Sequence, residues 1–154
     1  MSRSSRIPLG KSKSVEIKRK KNQIIIPSSL DFLPKVDEYI ERKLRRLGVD
    51  EDKLADIAVS VSEAVTNAVM HGNKNDLNKN VTINLKADSS CVEITVEDEG
   101  HGFVPECINS PIETKNLLKE TGRGIFILKS LMDKVEFTVQ PKRGTTVKMT
   151  KFLS

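Results

Sequence analysis

Residues 57–72 carry a single charged side chain, Glu63. A helix lying on a wet surface usually presents Lys and Glu outward, so a stretch this poor in charge must be covered over most of its circumference. Leu54, Ile57, Val61, Val65 and Ala68 recur at three and four residues, which predicts one apolar stripe on a helix. That helix is expected to start from a cap at Asp50, with Glu51 and Asp52 at its positive end, and to run to His71-Gly72. At about 100° per residue the stripe lies opposite Glu63 and Asn67, which stack on one face with Val59 and Met70 flanking them. A carboxylate and an amide among apolar neighbours suit a face that closes over a ligand; a polar pair satisfied by backbone groups is the alternative.

The surrounding pattern supplies the cover. Ser28, Ser29 and Asp31 are helix-start signals and Pro34 suits a first turn; Leu33, Val36, Ile40, Leu44 and Leu47 then form a second amphipathic stripe that Gly48 stops. Val81, Ile83, Leu85 and, after the turn at residues 88–90, Val92, Ile94, Val96 alternate as two strands, each with one apolar face. A short apolar run at Gln23–Ile26 can pair with the earlier Val15/Ile17 alternation. A third helix is expected from about Gly124 to Lys134, with Ile125, Leu128, Leu131 and Met132 inward. It is followed by a hairpin that sets Val135, Phe137 and Val139 against Val147 and Met149. One-faced, mostly antiparallel strands with about three helices on one side make a two-layer α+β sandwich.

Charge divides the chain unevenly. Residues 1–21 hold eight Lys/Arg against Glu16 alone, leaving 18 basic and 20 acidic residues beyond them. The net +5 therefore belongs to a basic arm, residues 1–22, and the body, residues 23–154, has no basic excess to lay along a phosphate backbone. Because the arm lacks stacking aromatics, a solvated leader fits it better than a nucleic-acid contact. Two cysteines, Cys91 and Cys107, are too few for a disulfide framework, and no apolar run approaches the ~20 residues that span a bilayer. The expectation is a single cytoplasmic domain with reduced thiols and no membrane contact.

Three further segments carry chemistry. Asp98-Glu99-Gly100-His101-Gly102 ends a strand in an acid among glycines; a carboxylate there can accept a hydrogen bond from an exocyclic amine, although turns often have this composition. Residues 99–123 are long for a connection and suit a functional loop or lid. Thr121-Gly122-Arg123-Gly124 then opens a helix, where free N–H groups and the helix dipole favour phosphate, or where a glycine simply hinges the loop. Gly144-Thr145-Thr146 begins the last strand, and a Thr there either hydrogen-bonds a base or only favours the strand. Neither a P-loop, GxxxxGK[ST], nor a GxGxxG turn between strand and helix occurs.

Taken in order, EAVTNAVMHG, DEGHGF, a long loop, GRGI and GTT resemble the N box and glycine boxes of the GHKL ATPases, over the chain from Glu63 to the C-terminus. The wording SEAVTNAVMH and TGRGIFIL is most similar to the anti-sigma-factor serine kinases of that superfamily. The resemblance implies the Bergerat ATP-binding fold, with ATP and Mg2+ as cofactors. It implies that Asn67 coordinates Mg2+, Asp98 binds the adenine amino group, Gly100, Gly102, Gly122 and Gly124 shape pocket and lid, and Thr146 supports the adenine. Glu63 falls at the family's general-base position, and Arg123 is a candidate phosphate contact.

The activity so implied is phosphorylation of a Ser or Thr on an anti-anti-sigma antagonist of the STAS type, coupled to sequestration of a sigma factor, by a homodimer. A regulatory ATP-binding module without catalysis is the alternative. The catalytic part of a histidine kinase is a third reading, disfavoured because neither His71 nor His101 belongs to a dimerising helix pair.

Overall fold

The computed structural model describes residues 6–7, 15–100, 122–140 and 143–153 of the 154-residue chain. Two short strands, β1 (Arg6–Ile7) and β2 (Val15–Glu16), pair with each other. The main sheet comprises β3 (Lys18–Lys20), β4 (Gln23–Pro27), β5 (Asn80–Ala87), β6 (Cys91–Glu97), β7 (Lys134–Gln140) and β8 (Gly144–Phe152). Their order is β3-β4-β5-β6-β8-β7, and all five neighbouring pairs are antiparallel. Helices α1 (Leu33–Arg46), α2 (Glu51–Asn67) and α3 (residues 122–131) supply the second layer, so the expected α+β sandwich is what forms.

Alternation sets which face of the sheet is dry. Ile24 and Ile26 of β4, Ile83 of β5, Ile94 of β6 and Met149 of β8 are all buried toward the helices. From above, Val36, Ile40 and Leu44 of α1 and Ile57, Val61 and Val65 of α2 meet them. Each such side chain contributes about 1.5–3 kcal/mol by leaving water, which is why the register of every central strand is strongly specified. The basic arm and the sheet overlap: Lys18–Lys20 pairs with β4, and Ile17 just before it is in the core.

Three details differ from the sequence reading. Leu47 is 55% exposed and does not extend the α1 stripe. Gly48 takes φ +73°, its N–H donates to Arg45 O (3.1 Å), and the Val49 N–H donates to Leu44 O (3.1 Å). This is a Schellman ending, and it turns Val49 into the core instead of Leu47. Helix α3 runs over residues 122–131, not to Lys134, which starts β7. Leu128 and Met132 are buried as expected, while Ile125 and Leu131 stay half-exposed. In β7, Phe137 pairs with Val147 as the alternation predicts, yet it is 42% exposed because β7 is an edge strand.

Candidate functional site

Helix α2 carries one face of the site. Glu63 and Asn67 are half-buried, between Val59 (47% exposed) and Met70 (37% exposed), so apolar side chains are left open on both sides of a polar pair. What covers the pair is the first turn of α3. A Cβ placed on Gly124 would meet Asn67 Nδ2 at 2.9 Å and Glu63 Oε2 at 3.5 Å, so glycine lets these two side chains lie directly against the α3 backbone without moving aside. The first described turn of α3, where a helix start carries a positive dipole end, thus stands beside a carboxylate and an amide. Gly122 and Arg123 of the same turn are exposed, and nothing lies within 4 Å of a Cβ built at Gly122.

A second assembly lies farther along the same helix. After Asn67, α2 continues through a π-helical turn, Ala68–Gly72, and Gly72 arrives over Asp98 at the end of β6. A Cβ on Gly72 would sit 2.2 Å from Asp98 Oδ2, one on Gly100 2.0 Å from Gly72 O, and one on Gly144 2.1 Å from Asp98 O. Three chain segments therefore touch through glycine around one carboxylate. Asp98 Oδ1 accepts N–H bonds from Gly100 (2.9 Å) and Thr145 (3.1 Å), while the Asp98 N–H donates to Thr145 O (3.0 Å). Burial raises the Asp98 carboxyl above its ordinary value, with the two N–H bonds and the charge of Lys79 pulling it back and Glu99 adding to the rise.

Asn73 ties this assembly to the rest of the sheet. It is 1% exposed; its Nδ2 donates to Ser28 Oγ (2.8 Å) and Asn80 O (2.9 Å), and its Oδ1 accepts the Glu99 N–H (2.8 Å). Ser28 Oγ donates in turn to Lys79 O (2.6 Å), and the Asn80 N–H donates to Glu99 Oε2. One side chain thereby links the end of β4, the start of β5 and the residue that follows Asp98.

Of the site residues expected from the sequence, Glu63, Asn67 and Gly124 come together, and Asp98 and Gly100 come together. Helix α2 joins the two groups: Glu63 and Gly72 are separated by roughly 13 Å at ~1.5 Å rise per residue. Gly102 lies outside the described residues. Thr146 is not brought to Asp98: it pairs with Glu97 and Thr138 and faces away from the helices, whereas Thr145 shares the buried face with Val147 and Met149. Period-two alternation back from Val147 would have found Thr145. Gly72 and Gly144 read in the sequence as a helix stop and a turn, and Asn73 carries no local signal.

Asn67 Oδ1 offers a hard oxygen ligand, with the Glu63 carboxylate beside it, next to the first described turn of α3. That fits Mg2+, which keeps several waters and takes few protein ligands. Among the described residues no group of three or more His, Cys, Asp or Glu is placed to hold a metal ion. None of their helices is long and apolar enough to cross a membrane.

Comparison with known proteins gives a consistent set of relatives. Residues 26–151 match the family model described as "Histidine kinase-like ATPase domain". The anti-sigma F factor of Bacillus licheniformis is 38% identical over 105 residues, covering 67% of this chain and 72% of that protein. The serine-protein kinase RsbW of Bacillus subtilis (strain 168) is 33% identical over 135 residues, 84% of this chain and 83% of that one. Among solved structures, the RsbU and RsbW domains of Rv1364c from Mycobacterium tuberculosis superpose with a TM-score of 0.59 at 22% identity, over 88% of this chain. This chain spans 34% of that one, and the likeness is one of fold.

Proposed function

From the premise that this chain belongs to the histidine kinase-like ATPase domain family, with anti-sigma factors and RsbW-type serine kinases among its relatives, we propose that it is an ATP-dependent protein-serine kinase and anti-sigma factor. Its substrate is a Ser or Thr on a STAS-type anti-anti-sigma protein, and its other partner is a sigma factor. The observation that carries this reading is the placement of Glu63, Asn67 and the α3 end on one side, and Asp98 in its glycine surround on the other, along a single helix.

In this reading Asp98 reads the base. Oδ1 is occupied by two backbone N–H groups, which leaves Oδ2, over Gly72, to accept the adenine amino N–H. Thr145 stands beside it through its N–H bond to Oδ1, and Thr146, next along β8, keeps the supporting role toward the adenine that the resemblance implies. Gly124, Gly122 and Arg123 receive the phosphates at the positive end of α3, and Gly100 stands where the chain leaves Asp98. Asn67 Oδ1 would hold Mg2+, which would offset phosphate charge. Glu63 takes the proton of the attacking hydroxyl as its oxygen bonds the γ-phosphorus and the bond to the ADP oxygen breaks. The protein works in the cytoplasm as a homodimer; because the apolar stripe of α1 is used on its own sheet, that stripe is not the dimer contact.

The test is incubation with Mg-ATP labelled at the γ-phosphate and a STAS-type antagonist. Label on the antagonist with the wild type and none with Glu63→Gln supports the kinase. Tight ATP binding by calorimetry with no transfer by either would replace it with the regulatory ATP-binding module.

A further inference from the structure

Helix α1 has a second face that the nucleotide site does not use. Val36, Ile40 and Leu44 point into the core, and Lys35, Tyr39, Arg42 and Arg46 line the opposite side, at positions i, i+4, i+7 and i+11 of the helix. Across from them Arg19 of β3 completes a groove of about 190 Å3. Its walls are held together by Tyr39, whose hydroxyl donates to Lys20 O (2.9 Å) and Lys21 O (3.0 Å) in the turn between β3 and β4. Lys43 Nζ lies 5.6 Å from the centre of the Tyr39 ring. A second hollow, of about 340 Å3, shares Lys43 and Arg46 and continues past Lys21 and Lys86 to Leu47, Leu85 and Ala87.

The charge of this track is one-sided. Its only acid is Glu38, which Arg42 already binds at 2.9 Å. The chain beyond residue 21 holds 18 basic against 20 acidic residues, so these cations are gathered on one surface of a body with no basic excess. Arg19 of β3 lines the groove and Lys21, in the turn that follows, lines the hollow beyond it, so both add to the same field. A second copy of this chain cannot lie with this face on itself without opposing like charges.

The far end decides between anionic partners. A nucleic-acid backbone asks for cations along its length and has no use for an apolar terminus. Here the track ends on Leu47, which is 55% exposed at the close of an otherwise charged helix end. Cations at helical spacing followed by an apolar side chain match a helix that is acidic on one face and ends in an apolar residue.

We propose that the groove between α1 and the β3–β4 hairpin is a docking site for an acidic amphipathic helix of a partner protein, its carboxylates set against Lys35, Arg42 and Arg46 and an apolar side chain on Leu47. This rests on the charged surface alone and stands or falls separately from the nucleotide reading.

The test is fluorescence anisotropy with the full chain. The probe is a labelled helix-forming peptide of about 16 residues, Glu at i, i+4, i+7 and i+11 and Leu beyond. The same peptide with Gln for Glu and a duplex DNA of similar length are run beside it. The Glu peptide is expected to bind about tenfold or more tightly than the Gln peptide, and to weaken as salt is raised. Arg42→Glu with Arg46→Glu should lower its affinity about tenfold or more while ATP affinity stays unchanged. Arg19→Gln with Lys35→Gln, away from the helix end, serves as the second variant should the first not fold. Leu47→Ser should weaken binding severalfold without changing the salt slope. Equal binding of the two peptides, tighter binding of the DNA, or wild-type affinity in folded charge variants would each overturn the proposal.

Discussion

The two ends of the candidate site are built in opposite ways. At the Glu63/Asn67 end, two side chains share a helix face because they are four residues apart, and among the described residues Gly124 of α3 comes to meet them. At the Asp98 end, Gly72 and Asn73, Gly100, and Gly144 and Thr145 come from three segments and meet through close backbone contacts and buried hydrogen bonds. The first end owes its geometry to local periodicity and leaves its side chains accessible. The second is over-determined by tertiary contacts, so its carboxylate is held in one orientation before any ligand arrives. Under the proposed function, recognition would fall on the rigid end and group transfer on the open end, so that the reacting groups could change partners while the base stays fixed.

Mutations can break this comparison, and the largest effect belongs to the open end. Glu63→Gln should reduce phosphate transfer by about 10²–10⁴-fold, with ATP affinity and thermal stability unchanged, as read by labelled transfer, calorimetry and a melting curve. A parallel loss of affinity would mean that Glu63 is structural.

Next comes Gly144→Ala, at the rigid end. Its φ of +115° and the 2.1 Å approach of a Cβ to Asp98 O should cost about 2–4 kcal/mol of stability by urea unfolding, and ATP binding should fall with it. A neutral result would show that the glycine contacts are slack.

Asp98→Asn separates stability from recognition. The Asn oxygen still accepts the Gly100 and Thr145 N–H groups, but an amide nitrogen cannot accept the adenine amine, so affinity should drop about 10–100-fold while Tm holds or rises. The sign follows from the raised carboxyl. The folded state holds its proton more tightly than the unfolded chain, so Asp98 lessens stability above its folded pKa, and that penalty fades as pH falls toward 3.8. ATP affinity should move the other way, declining as acid protonates Asp98. A wild-type and Asn variant with parallel affinity-pH curves would count against Asp98 as the base reader.

The smallest effect is expected from Asn73→Ala, about 1–3 kcal/mol of stability, because buried donors and acceptors lose their partners. Acting through Glu99 and Asp98, it should raise KM for ATP with kcat little changed. A fall in kcat at constant KM would place its influence at the other end of the site.

How much of this was legible follows from the range over which each signal acts. The strands, α2 and the Glu63/Asn67 pairing were readable because periods of two and 3.6 are properties of neighbouring residues. Where the reading slipped, a nearby feature changed direction: Gly48 turned the chain so that Val49 replaced Leu47 in the core. Asn73 was invisible because Ser28 lies 45 residues away in sequence and Glu99 lies 26 away. Nothing beside it announces either partner.

By itself, then, the sequence determined which faces are apolar, which helix must be covered and which carboxylate stands with which amide, since these depend on backbone periodicity and transfer from water. Tertiary structure alone decided that three glycines close around Asp98, that Asn73 braces it, and that the cations of α1 form a groove with β3. Those arrangements exist only once segments distant in sequence approach within a side chain's reach.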